Sequence, residues 1–271
     1  LTSTTVEAVA SPTVIDVDGY LARIGARRGE PTVATLRHLQ ERHLATVPFE
    51  NLSIHIGERI ELAPDLLVDK VVRRHRGGFC YELNGAFAAL LTALGYRVTL
   101  LSAQVYGPDG EPGVPLAHMA LRVDLAEHWL VDVGFGRFSG LPLRLAERGP
   151  QADPNGTFHL VEADGGLLDV YCDDRPEYRL DPRPYRLRDF APTCWYQQTS
   201  PDSHFTRSLT CSLPTATGRV TLSGTTLITT LITPVGTERT ERALTDAEAL
   251  ATYRDVFGIT LDRVPTVDGR G

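Results

Sequence analysis

Apolar residues recur at helical spacing through the first third of the chain and change to strand spacing at Tyr96. Asp18–Ala26 is a short amphipathic segment. Thr32–Ala45 sets Leu36, Leu39 and Leu44 against Arg37, Gln40, Glu41 and Arg42, the period of a helix with one buried side. Pro48 interrupts this pattern within the mostly apolar Val47-Pro48-Phe49-Glu50-Asn51-Leu52. Pro64 opens a third helix through Leu66, Leu67, Val68, Val71 and Val72, since proline at the first helical position gives up only an N–H that has no partner there. Gly77-Gly78 ends it. A fourth helix begins near Cys80, with Leu83, Phe87, Leu90, Leu91 and Leu94 as its stripe and Gly95 as its cap.

Beyond Tyr96 the runs are short and rich in β-formers: Tyr96–Tyr106, Ala117–Leu125, Trp129–Val133, Thr157–Glu162 and Leu167–Tyr171. Gly-Pro-Asp-Gly, Glu-His and Asp-Gly-Gly turns separate them, the signature of an antiparallel meander or barrel. Pro182 and Pro184 mark a crossing, and Asp189–Gln198 reads as helical. A second β group follows at Phe205–Ser212, Arg219–Leu222 and Thr225–Ile232. Leu244–Phe257 closes as a helix behind Thr245-Asp246-Ala247-Glu248, close to a capping box. The expected fold class is α+β in three parts: a helical bundle over 1–95, an antiparallel β-barrel with a connecting segment over 96–200, and a smaller α/β part over 201–271.

Composition narrows the classes. At 271 residues, 42% hydrophobic and 23% charged, the chain can bury a real core, which excludes a disordered protein or a disulfide-dependent scaffold. No run reaches the ~18–20 apolar residues of a membrane-spanning helix. Leu1–Asp18 lacks a basic segment leading an apolar stretch, so no secretory signal is expected, and Leu1 suggests a trimmed or processed start. A net charge of −7 argues against a polyanion-coating protein. Lys70 is the only lysine, so an anionic ligand has to be held by arginines, hydroxyls or backbone N–H groups. Four cysteines, Cys80, Cys172, Cys194 and Cys211, are an ordinary number for a reducing cytoplasm, the expected location.

Cys80 is distinguished by its place. It follows Arg76-Gly77-Gly78-Phe79 at the first turn of a helix, where unpaired N–H groups and the helix dipole favour a thiolate. A structural cysteine at a loop–helix joint is the other reading. Of eight histidines, His38, His43 and His75 fall on polar sides of helices and read as solvated, as does His128 in its turn; His55 is ambiguous, and His159 and His204 have no acid placed beside them. His118 lies within an apolar β-run, and Asp132 interrupts the next one. A lone buried carboxylate is costly. Antiparallel pairing through the Glu127-His128 turn would set Asp132 beside His118, fixing its tautomer and leaving the other ring nitrogen for Cys80. Zinc, dithiol, Walker and dinucleotide motifs are absent.

These blocks resemble the arylamine N-acetyltransferases. Arg76–Gly85 looks like that family's signature around its nucleophilic cysteine, and Val47–Leu52 resembles its acceptor-pocket block. Ala117-His118-Met119 and Val131–Gly136 match the histidine and aspartate blocks, and Gln198–Phe205 is similar to the stretch near the coenzyme A site. The resemblance implies a cysteine-protease-like triad of Cys80, His118 and Asp132, with the last part of the chain as an α/β lid. It implies ping-pong transfer from acetyl-CoA, without a metal, through an acetyl-cysteine to an arylamine, arylhydroxylamine or hydrazine. Phe49 and Phe135 would wall the acceptor pocket; Gly134, Gly136 and Ser203 would contact coenzyme A. Arg76 and Glu82 are expected to pair near the site. Arg137 stands where many bacterial members carry a second glycine. The family's amide synthases, which take a polyketide chain from a carrier protein and close a macrolactam, keep the same triad. A thiol hydrolase or transglutaminase-like enzyme is the rival from another class.

Overall fold

The computed structural model describes residues 15–233 and 236–267; the leader reading of the first fourteen residues lies outside them. Helices α1 (Val17–Ile24), α2 (Val33–Thr46), α4 (Pro64–Val72) and α5 (Cys80–Ala93) match the helical reading. A two-residue strand β1 (Phe49–Glu50) and a single turn α3 (Leu52–His55) lie between them. The caps follow the sequence: Thr32 Oγ1 accepts the Thr35 N–H, Pro64 opens α4, and Gly95 takes φ +91° beyond α5. Two residues on the expected polar side of α2 are buried. Gln40 donates to Ser139 O at 3.2 Å, and His43 packs on Phe87 with Tyr20 OH 3.2 Å from its Nδ1. Here α2 is covered on a second side, by α1 and by the loop carrying Ser139.

The middle of the chain forms one antiparallel sheet of eight strands: β2 (Arg97–Val105), β3 (His118–Asp124), β4 (His128–Val131), β5 (Leu143–Arg144), β6 (Gln151–Asp153), β7 (Gly156–Ala163), β8 (Leu167–Cys172) and β9 (Arg175–Tyr185). Their order is β5-β4-β3-β2-β9-β8-β7-β6. The two outer strands meet through a side chain: Gln151 accepts from Arg144 N at 2.7 Å and donates to Arg144 O at 3.1 Å. That nearly closes a barrel around Leu101, Leu130, Phe158, Leu160, Val170 and Tyr178. The crossing expected at Pro182 and Pro184 is instead the end of β9. A bulge lets these prolines into the sheet: Ser102 pairs with Asp181 and Leu100 with Tyr185, so two residues of β2 span four of β9.

A second antiparallel sheet has the order β1-β10-β11-β12-β13, with β10 (Cys211–Thr215), β11 (Gly218–Ser223), β12 (Thr226–Thr233) and β13 (Gly236–Ala243). The strand expected over Phe205–Ser212 begins instead as a helical turn. After α6 (Ala191–Thr199), Ser203 Oγ caps the Phe205 N–H and Thr206 Oγ1 bonds Ser200 O, which winds His204–Arg207 into α7. The closing helix α8 (Asp246–Phe257) has the anticipated box, Thr245 N donating to Glu248 Oε2 at 2.8 Å and Glu248 N to Thr245 Oγ1 at 3.3 Å. It packs Ala249, Tyr253 and Phe257 against the cluster of Leu52, Cys211 and Leu222.

Candidate active site

Cys80 is the first residue of α5 and is 3% exposed. The bend leading into it depends on two glycines. A Cβ on Gly77 would lie 1.8 Å from Pro48 O, and one on Gly78 would lie 2.7 Å from the Glu82 side chain. Gly78 bridges to Phe49, and its carbonyl accepts the Glu50 N–H at 2.9 Å. The expected Arg76–Glu82 pair does not form. Arg76 bonds Glu50, at 2.9 Å from Nη2, and reaches Glu58; Glu82 instead takes Lys70, Nζ–Oε1 2.5 Å, while its Oε2 accepts the Phe79 N–H at 3.2 Å. The chain's only lysine therefore holds the carboxylate that caps the cysteine's helix. Sequence could not choose between these partners, because α4 delivers Lys70 and α3 delivers Ser53, its other partner at 2.9 Å. Burial raises the Glu82 carboxyl, with the nearby Glu50 charge adding to it, while Lys70 acts against both.

His118 begins β3 and Asp132 follows β4. The β3–β4 ladder pairs Leu121 with Val131, so Asp132 falls diagonally across from His118, and their Nε2–Oδ2 distance is 2.6 Å. Both side chains are almost wholly enclosed, at 3% and 0% exposure. Asp132 Oδ1 accepts Asn84 Nδ2 and the Gly134 N–H, each at 2.9 Å. Asn84 also donates to Met119 O at 2.6 Å and accepts the Val133 N–H at 2.9 Å. One turn after Cys80 on α5, it ties the cysteine's helix to both strands. The sequence reading passed over it; a polar side chain at i+4 from Cys80 within an apolar helix was the available signal. Tyr178 was missed as well, because β9 was. Its buried ring lies 5.3 Å from that of His118, and its hydroxyl is buried without a hydrogen-bond partner among the described residues.

The Cys80 sulfur sits against the β3 backbone on both sides of His118. It lies 3.9 Å from Ala117 O, and the Met119 N–H points toward it. Burial pushes the thiol well above its ordinary range, and the N–H groups of Met119 and Tyr81 act in the opposite direction. Arg76, four residues before Cys80, spends its charge on Glu50 and Glu58. His118 Nε2 is taken by Asp132, and Nδ1 makes no hydrogen bond among the described residues. The arrangement thus offers a buried thiol, an imidazole with one ring nitrogen fixed by an acid and the other free, and a carboxylate held by three donors.

The other expected residues surround this centre. Gly134 is buried: a Cβ there would meet Cys80 Cα and Asn84 Nδ2 at 2.7 Å. Gly136, at φ +90°, lies under the Phe49 ring. Phe135 meets His118 edge-on at 5.1 Å and walls a cavity of about 550 Å³ with Phe138, Arg137, Arg175 and Glu177. Burial raises the Glu177 carboxyl, opposed by the charges of Arg137 and Arg175. Phe49 lies apart from that cavity's wall, 6.3 Å from the ring of Phe205. Ser203 is buried, its Oγ donating to Gln197 at 2.6 Å.

The family model described as N-acetyltransferase matches residues 32–266. An arylamine N-acetyltransferase of Mycobacterium bovis is 35% identical over 91% of this chain and 90% of its own length. A pineal gland isozyme of arylamine N-acetyltransferase from Gallus gallus is 34% identical over 92% and 96%. Among solved structures, the Mycobacterium marinum arylamine N-acetyltransferase in complex with CoA superposes with a TM-score of 0.80 at 33% identity, covering 90% of this chain and 93% of that one. With the match running through both sheets and every block of the site, the chain belongs to the arylamine N-acetyltransferase family.

Proposed function

We propose that the protein transfers an acetyl group from acetyl-CoA to the nitrogen of an arylamine, arylhydroxylamine or hydrazine, through an acetyl-thioester on Cys80. The carrying observation is the His118–Asp132 pair, 2.6 Å apart and enclosed, beside a cysteine sulfur 3.9 Å from the carbonyl oxygen of Ala117, the residue before His118. Asp132 keeps the proton on Nε2, so Nδ1 is the basic nitrogen. His118 Nδ1 takes the Cys80 proton as the sulfur attacks the thioester carbonyl. It returns that proton to the departing coenzyme A thiolate. In the second half-reaction Nδ1 accepts a proton from the attacking amine, and Cys80 leaves as the thiolate. An arylamine suits this step, being largely unprotonated at neutral pH. Because burial disfavours an isolated thiolate here, the ion pair with imidazolium supplies the charge balance, and Asp132 stabilises the imidazolium.

Phe135 serves in the same reading as an apolar wall for the ring of the acceptor, and Phe49, outside the lining of that cavity and packed over Gly136, as a wall of the approach along Gly136. Gly134 and Gly136 keep side chains away from the approach of coenzyme A to Cys80. Ser203, with its hydroxyl committed to Gln197, acts by shaping the turn between α6 and α7. The three units 1–95, 96–200 and 201–271 and a cytoplasmic location belong to this proposal; among the described residues no helix is long and apolar enough to cross a membrane. Intact-mass spectrometry after incubation with acetyl-CoA tests it. An acetyl adduct lost in Cys80→Ala is expected. No adduct with acetyl-CoA, but loading from a carrier-protein thioester, would overturn the reading in favour of an amide synthase.

A further inference from the structure

Among the described residues, strand β13 is the outer strand of its sheet, and all eight of its residues are exposed. Exposed edges invite pairing, and charge is the usual means of preventing it. The charges on this edge are ordered differently. In Thr237-Glu238-Arg239-Thr240-Glu241-Arg242-Ala243, each charge has its opposite at the same distance across Thr240: Arg239 mirrors Glu241, and Glu238 mirrors Arg242. An antiparallel copy of the strand centred on Thr240 would meet only opposite charges.

The backbone agrees with that register. Leu244 N donates to Thr225 O at 2.9 Å, and Thr226 lies opposite Ala243, Thr229 opposite Thr240. Bonded pairs alternate along an antiparallel ladder, so 238, 240 and 242 turn their N–H and C=O groups inward to β12. Ile232 N, which donates to Thr217 O on the β11 side at 2.7 Å, follows the same alternation. Thr237, Arg239, Glu241 and Ala243 therefore present their backbone groups to the free edge. Under a two-fold axis at Thr240, these outward residues oppose one another, 237 with 243 and 239 with 241. The inward residues 238 and 242 oppose one another as well. Sliding the register by two residues in either direction sets Arg239 against Arg239 or Glu241 against Glu241.

We propose that β13 is a self-association edge and that its partner is a second copy of this chain, the two five-stranded sheets joining antiparallel across Thr240. Within one copy Arg239 already bonds Glu241 at 2.6 Å, so the axis brings two such pairs into a ring of four alternating charges. Ile232, 60% exposed and opposite Thr237 on β12, extends the contact toward Ala243 of the second copy. A single strand pair buries less than the ~1,200 Å² of a stable interface, so the dimer is weak, reversible and salt-sensitive.

Sedimentation equilibrium of the full chain at rising concentration tests the edge. The wild type is expected to associate with a Kd on the order of 10–100 μM at low salt and to weaken several-fold when salt is added. Arg239→Glu and Glu241→Arg each face like charges across the axis and should remain monomeric at every concentration. An equimolar mixture of the two should associate again, because Arg239 of one variant then meets Glu241 of the other. Thermal melts matching the wild type would show that both variants fold. Oxidised Thr240→Cys should cross-link to itself and Glu238→Cys should not. A wild type monomeric throughout, a charge-reversed variant associating as the wild type does, or a mixture no better than its components would overturn the proposal.

Discussion

Asp132 has no exposed side-chain surface and yet carries no unmet polar demand: His118, Asn84 and the Gly134 N–H bond its two oxygens. Held in this way, the carboxylate has its hydrogen-bonding capacity met by protein groups in a dry interior. Asn84 is the member whose loss tests this arrangement most directly. Asn84→Ala leaves the Val133 N–H and Met119 O buried without partners and frees Asp132 on one side. A destabilisation of about 2–4 kcal/mol is expected, together with slower iodoacetamide alkylation of Cys80 near neutral pH. His118→Ala should slow that alkylation further. Unchanged alkylation in either variant would remove the link between this network and the thiol. At this scale, the candidates Cys80, His118 and Asp132 stood out by position: a cysteine at a helix start, and a histidine and an acid where apolar strands ought to have neither. Asn84 and the Lys70–Glu82 pair were not, because what identifies them is the neighbour each one finds.

Elements carried by periodicity or by caps were readable: α1, α2, α4, α5 and α8, and the barrel strands with an apolar face. Those decided by local exceptions were not. The prolines of β9 are accommodated by a bulge, β13 has no apolar alternation because it buries neither face, and α7 is wound by hydroxyls bonding nearby backbone. Joints between elements are set as tightly as the elements. After β4 the chain passes so near α5 that Gly134 has no room for a side chain. Gly134→Ala should therefore cost about 1–3 kcal/mol through overpacking and lower Cys80 alkylation at the same time. Gly165→Ala, where nothing lies within 4 Å although φ is +72°, should cost about 1 kcal/mol and leave alkylation unchanged. Paired denaturation curves and alkylation rates separate the two outcomes.

Across the whole molecule, the parts are joined by strands and charges from distant segments. Phe49 and Glu50 complete the sheet of the last third by pairing with Ser212 and Cys211, and the Glu50 carboxylate meets Arg76. Burial would raise that carboxyl, but Lys70, Arg76 and the Leu52 N–H hold it below its usual range. His43 gives the molecule an acid liability. Burial first, and Arg23 second, push this imidazole down to about 3, so the folded protein keeps it neutral while the unfolded chain protonates near 6.5. The stability it contributes is complete above about pH 6.5 and is lost progressively as pH falls toward 3. Between pH 7 and pH 4.5 the loss should be about 2–3 kcal/mol. Urea titrations of the wild type and His43→Gln check it, since the variant lacks this proton uptake and should show a correspondingly flatter acid limb.

Periodicity, caps and the placing of three reactive residues were determined by the sequence itself, because each depends on residues within one or two turns or strands. The fold class and the candidate triad follow from them. Which cation faces which carboxylate, that His43 is inside, that β1 belongs to the last sheet and that β13 is left as an edge were decided by the tertiary structure. These depend on contacts between segments far apart in the chain, where burial sets the cost of every charge and only the assembled fold names its partner.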